Sequence, residues 1–210
     1  LTLRPLVCAL AAGNKVLVKP SEHTPHTAEW IARVVDEALP PEVAKVILGG
    51  AEESAFLTSL PFQHICFTGG TGIGQKVMLA AANNLASVTL ELGGKSPAIV
   101  DASVHVTDAA KRLAWGKFLN SGQVCISPDY LLVEDAIADA VIKEFVIQTQ
   151  SMYGTSPKDQ LSCVHRSRMV NDHHFKRVVG LIEDALAQGA RVVTGGTWDA
   201  SARRIAPTVL

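Results

Sequence analysis

No run of lysine or arginine in this chain exceeds two, and the formal net charge is −1. The electrostatic footprint of a nucleic-acid or anionic-membrane binder is therefore missing, and small-molecule chemistry is the better-supported class. No apolar run reaches membrane-spanning length, and the N-terminus carries neither a secretory signal nor a transit composition. No C-x-x-C pair occurs either. The four cysteines, Cys8, Cys66, Cys125 and Cys163, lie far apart with no histidine or cysteine at zinc spacing, which points to free thiols in a reducing, cytoplasmic setting. An initiating methionine is also absent. Leu1 to Ala12 already reads as the interior of an apolar helix, so the expectation is an internal fragment.

What is present is ordinary globular material. The chain has 210 residues, 48% hydrophobic and 19% charged, and a mean hydropathy of +0.22, enough for one large or two modest cores. The apolar helix to Ala12 closes at Gly13-Asn14 as a C-cap pair would. Lys15 to Lys19 predicts a strand stopped by Pro20, and Thr27 to Leu39 a helix, with Ala28, Ile31, Ala32 and Val35 at helical spacing. Val43 to Leu48 predicts a strand and Glu52 to Leu60 a short helix. A strand at 64 to 68, a glycine-rich turn at 69 to 74, a helix at 75 to 83 and a strand at 87 to 91 follow. Such alternation implies an α/β fold: an open, mostly parallel Rossmann-like sheet with helices on both faces.

Glu91-Leu92-Gly93-Gly94-Lys95-Ser96-Pro97 breaks regular structure and divides the chain into residues 1–92 and 93–210. The second part predicts a strand at 98 to 100, a helix at 106 to 117, a strand at 130 to 133 and a helix at 135 to 150. A loop at 156 to 159, a long helix from Arg166 to Gln188 and a strand from Arg191 to Thr194 complete it. It reads as part of a second α/β domain.

Parallel sheets bind ligands at the C-terminal ends of their strands, which singles out three places in the first part. Lys19 and Glu22 either straddle a ribose or form a solvated ion pair. The glycine turn suits a phosphate at a helix N-terminus, although Gln75 stands where the usual dinucleotide fingerprint wants its last glycine. Glu91 follows an apolar strand, so it is expected in a cleft, desolvated, as a general base. In the second part Cys125 lies in a loop of small and polar residues between two apolar elements. A thiolate there adds readily to a carbonyl carbon; the alternative is a buried small hydrophobe. His165, His173 and His174 form no recognised metal pattern and read as a polar helix face, so no metal site is expected. Lys95, able in principle to form a Schiff base, reads as structural between Gly94 and Ser96-Pro97.

Four motifs, taken together, resemble those of the aldehyde dehydrogenase superfamily. Gly13 through Glu22 is similar to its ribose-binding strand and Phe67-Thr68-Gly69-Gly70 with Gly74 to its pyrophosphate turn. Glu91 through Pro97 is similar to its base motif, and Asn120-x-Gly122-Gln123-x-Cys125 to its nucleophile motif. The wording at 120 to 130 resembles the coniferyl-aldehyde and fatty-aldehyde types. Two departures stand out: Gly70 occupies a position where the family usually has serine, and the chain lacks the stretches that carry the family's oxyanion asparagine and second ribose carboxylate.

The resemblance implies an NAD(P)-binding part at 1–92 and a catalytic part at 93–210. It implies Cys125 as nucleophile, Glu91 as the base for deacylation, and Lys19, Glu22, Gly70, Gly74 and Leu92 as cofactor-binding residues. The substrate is then an aldehyde, the cofactor NAD with NADP as a second possibility, and the full-length protein a homodimer or homotetramer. Two alternatives stay open: an acylating dehydrogenase or acyl transferase using the same cysteine, and an inactive truncated relative that serves as a binding or oligomer partner.

Overall fold

The computed structural model describes residues 1–210, and these form two compact units, Leu1–Gly93 and Gly94–Leu210. In the first unit, helix α1 (Leu3–Ala11) ends at Gly13, whose φ of 80° lets Asn14 turn back and donate through its backbone N–H and Nδ2 to the Ala9 carbonyl. Strand β1 (Val16–Val18) pairs in parallel with β2 (Ala44–Val46) across helix α2 (Pro25–Ala38). Pro25 begins α2, where its missing N–H costs nothing, and Ala28, Ile31 and Val35 are the residues it buries, one stripe at helical spacing. Ile31 and Val35 pack with Leu6, Val18, Ala44 and Val46, and burying such side chains contributes roughly 1.5–3 kcal/mol apiece.

Helix α3 (Ala51–Ser59) follows, and then a second parallel pair, β3 (His64–Thr68) with β4 (Ser87–Glu91), joined by α4 (Thr71–Ala82). His64 faces Ser87 and Thr68 faces Glu91 in the register. The strands alternate, so Ile65, Phe67, Val88 and Leu90 are half-buried while His64, Cys66, Thr89 and Glu91 are exposed.

The second unit repeats the scheme. Strand β5 (Ser96–Val100) pairs in parallel with β6 (Pro128–Val133) across α5 (Val106–Phe118). Helix α6 (Ala138–Tyr153) packs on α5, where the fully buried Ala110 and Ala114 allow close approach and Phe118 meets Phe145 at 5.9 Å between ring centroids. Helices α7 (Pro157–Ser162) and α8 (Asp172–Ala187) and the antiparallel pair β7 (Trp198–Asp199) with β8 (Arg204–Ile205) complete it. Phe175, Val179 and Ile182 of α8 bury themselves against Met169 and Ile205.

Three expected elements differ. The loop at 156 to 159 is the start of α7, because the Ser156 hydroxyl accepts from the Asp159 N–H while the Asp159 carboxylate bonds back to the Ser156 N–H, a reciprocal cap. The long helix from Arg166 begins only at Asp172, capped by the Asn171 side chain, since 167 to 170 are held by long-range bonds described below. The strand from Arg191 shrinks to an isolated bridge between Thr194 and Val209, ended by Gly195 and Gly196 at φ of 78° and 72°.

Candidate active site

Helix α5 ends at Phe118, and the chain then passes through three successive residues in the left-handed region: Asn120 (φ 51°), Ser121 (φ 55°) and Gly122 (φ 77°). A β-carbon costs energy there, about 1–3 kcal/mol for each non-glycine residue, so the surroundings must hold the shape. They do so through side chains. The Asn120 Nδ2 donates to the Gln123 carbonyl at 3.2 Å, and Gln123 Nε2 donates to the carbonyls of Asn120 and Arg168, both at 3.0 Å. Gln123 Oε1 accepts from the Val170 N–H at 2.9 Å, and the Ser121 hydroxyl donates to the Ser167 carbonyl at 2.7 Å. Cys125 sits in the turn that follows, exposed to solvent, and the Ser127 hydroxyl closes the loop by donating to the Lys117 carbonyl at 3.1 Å. The thiol is therefore presented on a strained, clamped loop and is not a buried hydrophobe. Cys8 and Cys66 are exposed as well, so accessibility does not set Cys125 apart; its rigid setting does. Gln123 belongs to the nucleophile motif by its wording, but its clamping role is not legible along the chain, because two of its partners lie more than forty positions away.

Lys117, in the last turn of α5, is half-buried. Burial pushes its ammonium below the usual lysine range, opposed by Asp129 and reinforced by Lys95. Asp129 is itself ion-paired with Lys95, whose side chain is exposed.

In the first unit, the turn at Gly69-Gly70 leads into α4. Gly70 is the N-cap, with φ −75° and ψ 148°, and a side chain there would meet nothing within 4 Å. The first-turn amides that follow it are of the kind that suits a phosphate group. Gly74 is different. It is buried, its N–H is donated to the Gly70 carbonyl at 2.9 Å, and an added β-carbon would lie 2.8 Å from Leu92 Cδ2. Gly74 thus makes room for Leu92, which is half-buried. Glu91 is exposed at the end of β4, its backbone carbonyl accepting from the Gly69 N–H at 3.0 Å. The expected desolvated carboxylate is corrected here: the two-residue alternation of the strand turns Glu91 to the exposed face, opposite Val88 and Leu90.

Lys19 and Glu22 form the ion pair that was one of the two readings, Nζ to Oε2 at 3.1 Å, and the same ammonium donates to the Gly49 carbonyl at 3.0 Å. A bond from its own backbone amide, and the Lys19 ammonium, hold the Glu22 carboxyl below its usual range, so it is ionised at neutral pH. The pair can present one cation and one anion to a polyhydroxylated group. An ion pair thus follows β1 and a helix N-terminus follows β3, each at the C-terminal end of a parallel strand.

Comparison with known proteins agrees. Residues 1–210 match the aldehyde dehydrogenase family. The chain is 43% identical over 210 residues to the dimeric NADP-preferring aldehyde dehydrogenase of Rattus norvegicus, covering 100% of this chain and 45% of that one. It is 41% identical over 210 residues to the 4,4'-diapolycopene-4,4'-dial dehydrogenase of Cytobacillus firmus, again covering 100% and 45%. The substrate-bound structure of Staphylococcus aureus AldH superposes with a TM-score of 0.85 at 39% identity, over 97% of this chain and 43% of that one. The chain belongs to the aldehyde dehydrogenase family, and it spans less than half the length of these relatives.

Proposed function

We propose that the protein oxidises an aldehyde to a carboxylic acid with NAD(P)+ through a thioester on Cys125. The observation that carries this reading is the clamped left-handed loop that presents Cys125, in a chain of the aldehyde dehydrogenase family. The Cys125 thiolate adds to the carbonyl carbon, and its own backbone N–H donates to the oxyanion. When bound, the nicotinamide cofactor accepts the hydride that the oxidation releases. Glu91 then takes a proton from the water that opens the thioester, and its solvent-exposed position supports access to that water. Residues 1–92 hold the cofactor: Lys19 and Glu22 at the ribose, Gly70 and the start of α4 at the pyrophosphate, with Gly74 and Leu92 packed behind. Residues 93–210 carry the nucleophile.

NAD+ is the proposed cofactor because Glu22 accepts from a 2′-hydroxyl and repels a 2′-phosphate. The Lys19 ammonium at 3.1 Å offsets part of that charge, which supports NADP+ as a second cofactor. The scattered free cysteines support a reducing, cytoplasmic setting, and the rat relative, named as dimeric, supports a homodimer or homotetramer for the longer protein; no helix of the structure is long and apolar enough to cross a membrane.

The test is pre-steady-state kinetics on the longer protein. Glu91→Gln should keep a burst of about one NADH per site while steady turnover falls by roughly 10²–10⁴-fold, the usual contribution of a general base. Cys125→Ala should abolish both phases. Steady turnover that survives Glu91→Gln would favour transfer of the acyl group to a thiol such as coenzyme A instead of water.

A further inference from the structure

Lys117 stands apart from the other lysines near the cysteine loop. Its side chain is half-buried at the end of α5, and its ammonium has no hydrogen bond and no ion pair within 4 Å. The carboxylate that faces it, Asp129, is already taken by Lys95, and Lys95 adds a second positive charge to the neighbourhood. Asp129 and Lys95 are the charged groups that act on it, and burial outweighs both. Its backbone is fixed against both ends of the loop: the Lys117 carbonyl accepts from the Ser127 hydroxyl at 3.1 Å, and it lies 3.3 Å from where a β-carbon on Gly122 would stand. A half-buried amine without a counter-ion of its own is held toward its neutral form, in which the nitrogen lone pair is free to attack.

We infer that Lys117 is a second carbonyl-reactive group, an amine that condenses with aldehydes to an imine at the foot of the Cys125 loop. In that step the lone pair of the neutral amine adds to the carbonyl carbon, proton transfer gives a carbinolamine, and loss of one water leaves a C=N bond. Neither oxidant nor reductant is needed, and hydrolysis reverses it. The ligand class rests on the proposed use of aldehydes; the reactivity of the amine does not. The consequence is a reversible, aldehyde-dependent adduct on the residue whose carbonyl anchors the Cys125 loop, formed without cofactor.

The experiment is reductive trapping. The protein is exposed briefly to benzaldehyde and cyanoborohydride near neutral pH, without NAD(P)+, and labelled lysines are mapped by peptide mass spectrometry. Lys117 should be benzylated severalfold faster than Lys111, an exposed lysine on the same helix, because burial leaves more of it as the neutral amine. Labelling of Lys117 no faster than Lys111 overturns the inference. In Lys117→Arg, which keeps the charge and cannot form the imine, the adduct should vanish from that peptide while Lys111 still labels; an adduct that persists there also overturns it. If Lys117 labels but the Cys125→Ala protein keeps its burst, the dehydrogenase mechanism falls and this inference stands. Failure to label with the burst behaving as proposed sinks this inference alone.

Discussion

The carboxamide oxygen of Gln123 accepts from the backbone N–H of Val170 at 2.9 Å, forty-seven positions along the chain. With Nε2 donating to the Arg168 and Asn120 carbonyls, one side chain ties the strained cysteine loop to the irregular stretch that precedes α8. Met169 within that stretch is itself buried, and its N–H donates to the Arg203 carbonyl at 2.8 Å. The loop before Cys125 therefore has its shape imposed by the second unit's own packing.

Gln123→Ala should release this clamp. Three hydrogen bonds go, and with partial access of water to the orphaned groups the expected loss is about 1–3 kcal/mol of stability. Cys125 should also lose its fixed presentation, so iodoacetamide alkylation of Cys125 and the burst should both slow, while Cys8 and Cys66, in the other unit, label as before. Urea unfolding and thiol mapping on one sample check both. An unchanged alkylation rate alongside lowered stability would mean that Gln123 supports the fold without positioning the thiol.

Gly74 and Leu92 should show coupling. A β-carbon at Gly74 lies 2.8 Å from Leu92 Cδ2, and overpacking of that kind typically costs about 1–3 kcal/mol. Gly74→Ala alone should therefore lower the urea midpoint. In a Leu92→Ala background the same substitution should cost much less, because the methyl group it strikes is gone. A double-mutant cycle reads the difference; strict additivity would show that Leu92 is not what Gly74 makes room for.

The acid limb of stability should depend on the cap of α7. The Ser156 hydroxyl and the Ser156 N–H hold the Asp159 carboxyl below its ordinary value of 3.8. The folded state thus binds its proton later than the unfolded chain as pH falls. The stabilisation is present above 3.8 and is lost progressively as pH drops toward the lowered folded value. Ser156→Ala should shrink this loss, giving a shallower decline in melting temperature below that pH, with a lower melting temperature at neutral pH from the missing cap. Parallel declines in both proteins would show that other carboxylates set the acid limb.

Much of this was legible along the chain because local chemistry decides it. The stripe Ala28, Ile31, Val35 specifies α2, Gly13-Asn14 ends α1, and the alternation in β3 and β4 fixes which residues face out. Cys125, Glu91, Lys19, Glu22 and Gly70 are candidates from their places at strand ends, in the glycine turn and in a loop of small residues, and from motif wording. The tertiary structure alone decided the rest. The exposure of Glu91, the pairing of Lys19 with Gly49, the space that Gly74 leaves for Leu92 and the half-burial of Lys117 all depend on which distant segment lies alongside. The late start of α8 is the clearest case. Residues 166 to 171 carry a helical pattern, but Ser121 and Gln123, in another loop, donate to the carbonyls of 167 and 168, and Gln123 accepts from the N–H of 170, occupying groups that a helix would need. Helical propensity amounts to tenths of a kcal/mol per residue, and each of those bonds contributes about 0.5–1.5 kcal/mol, so the long-range partners win.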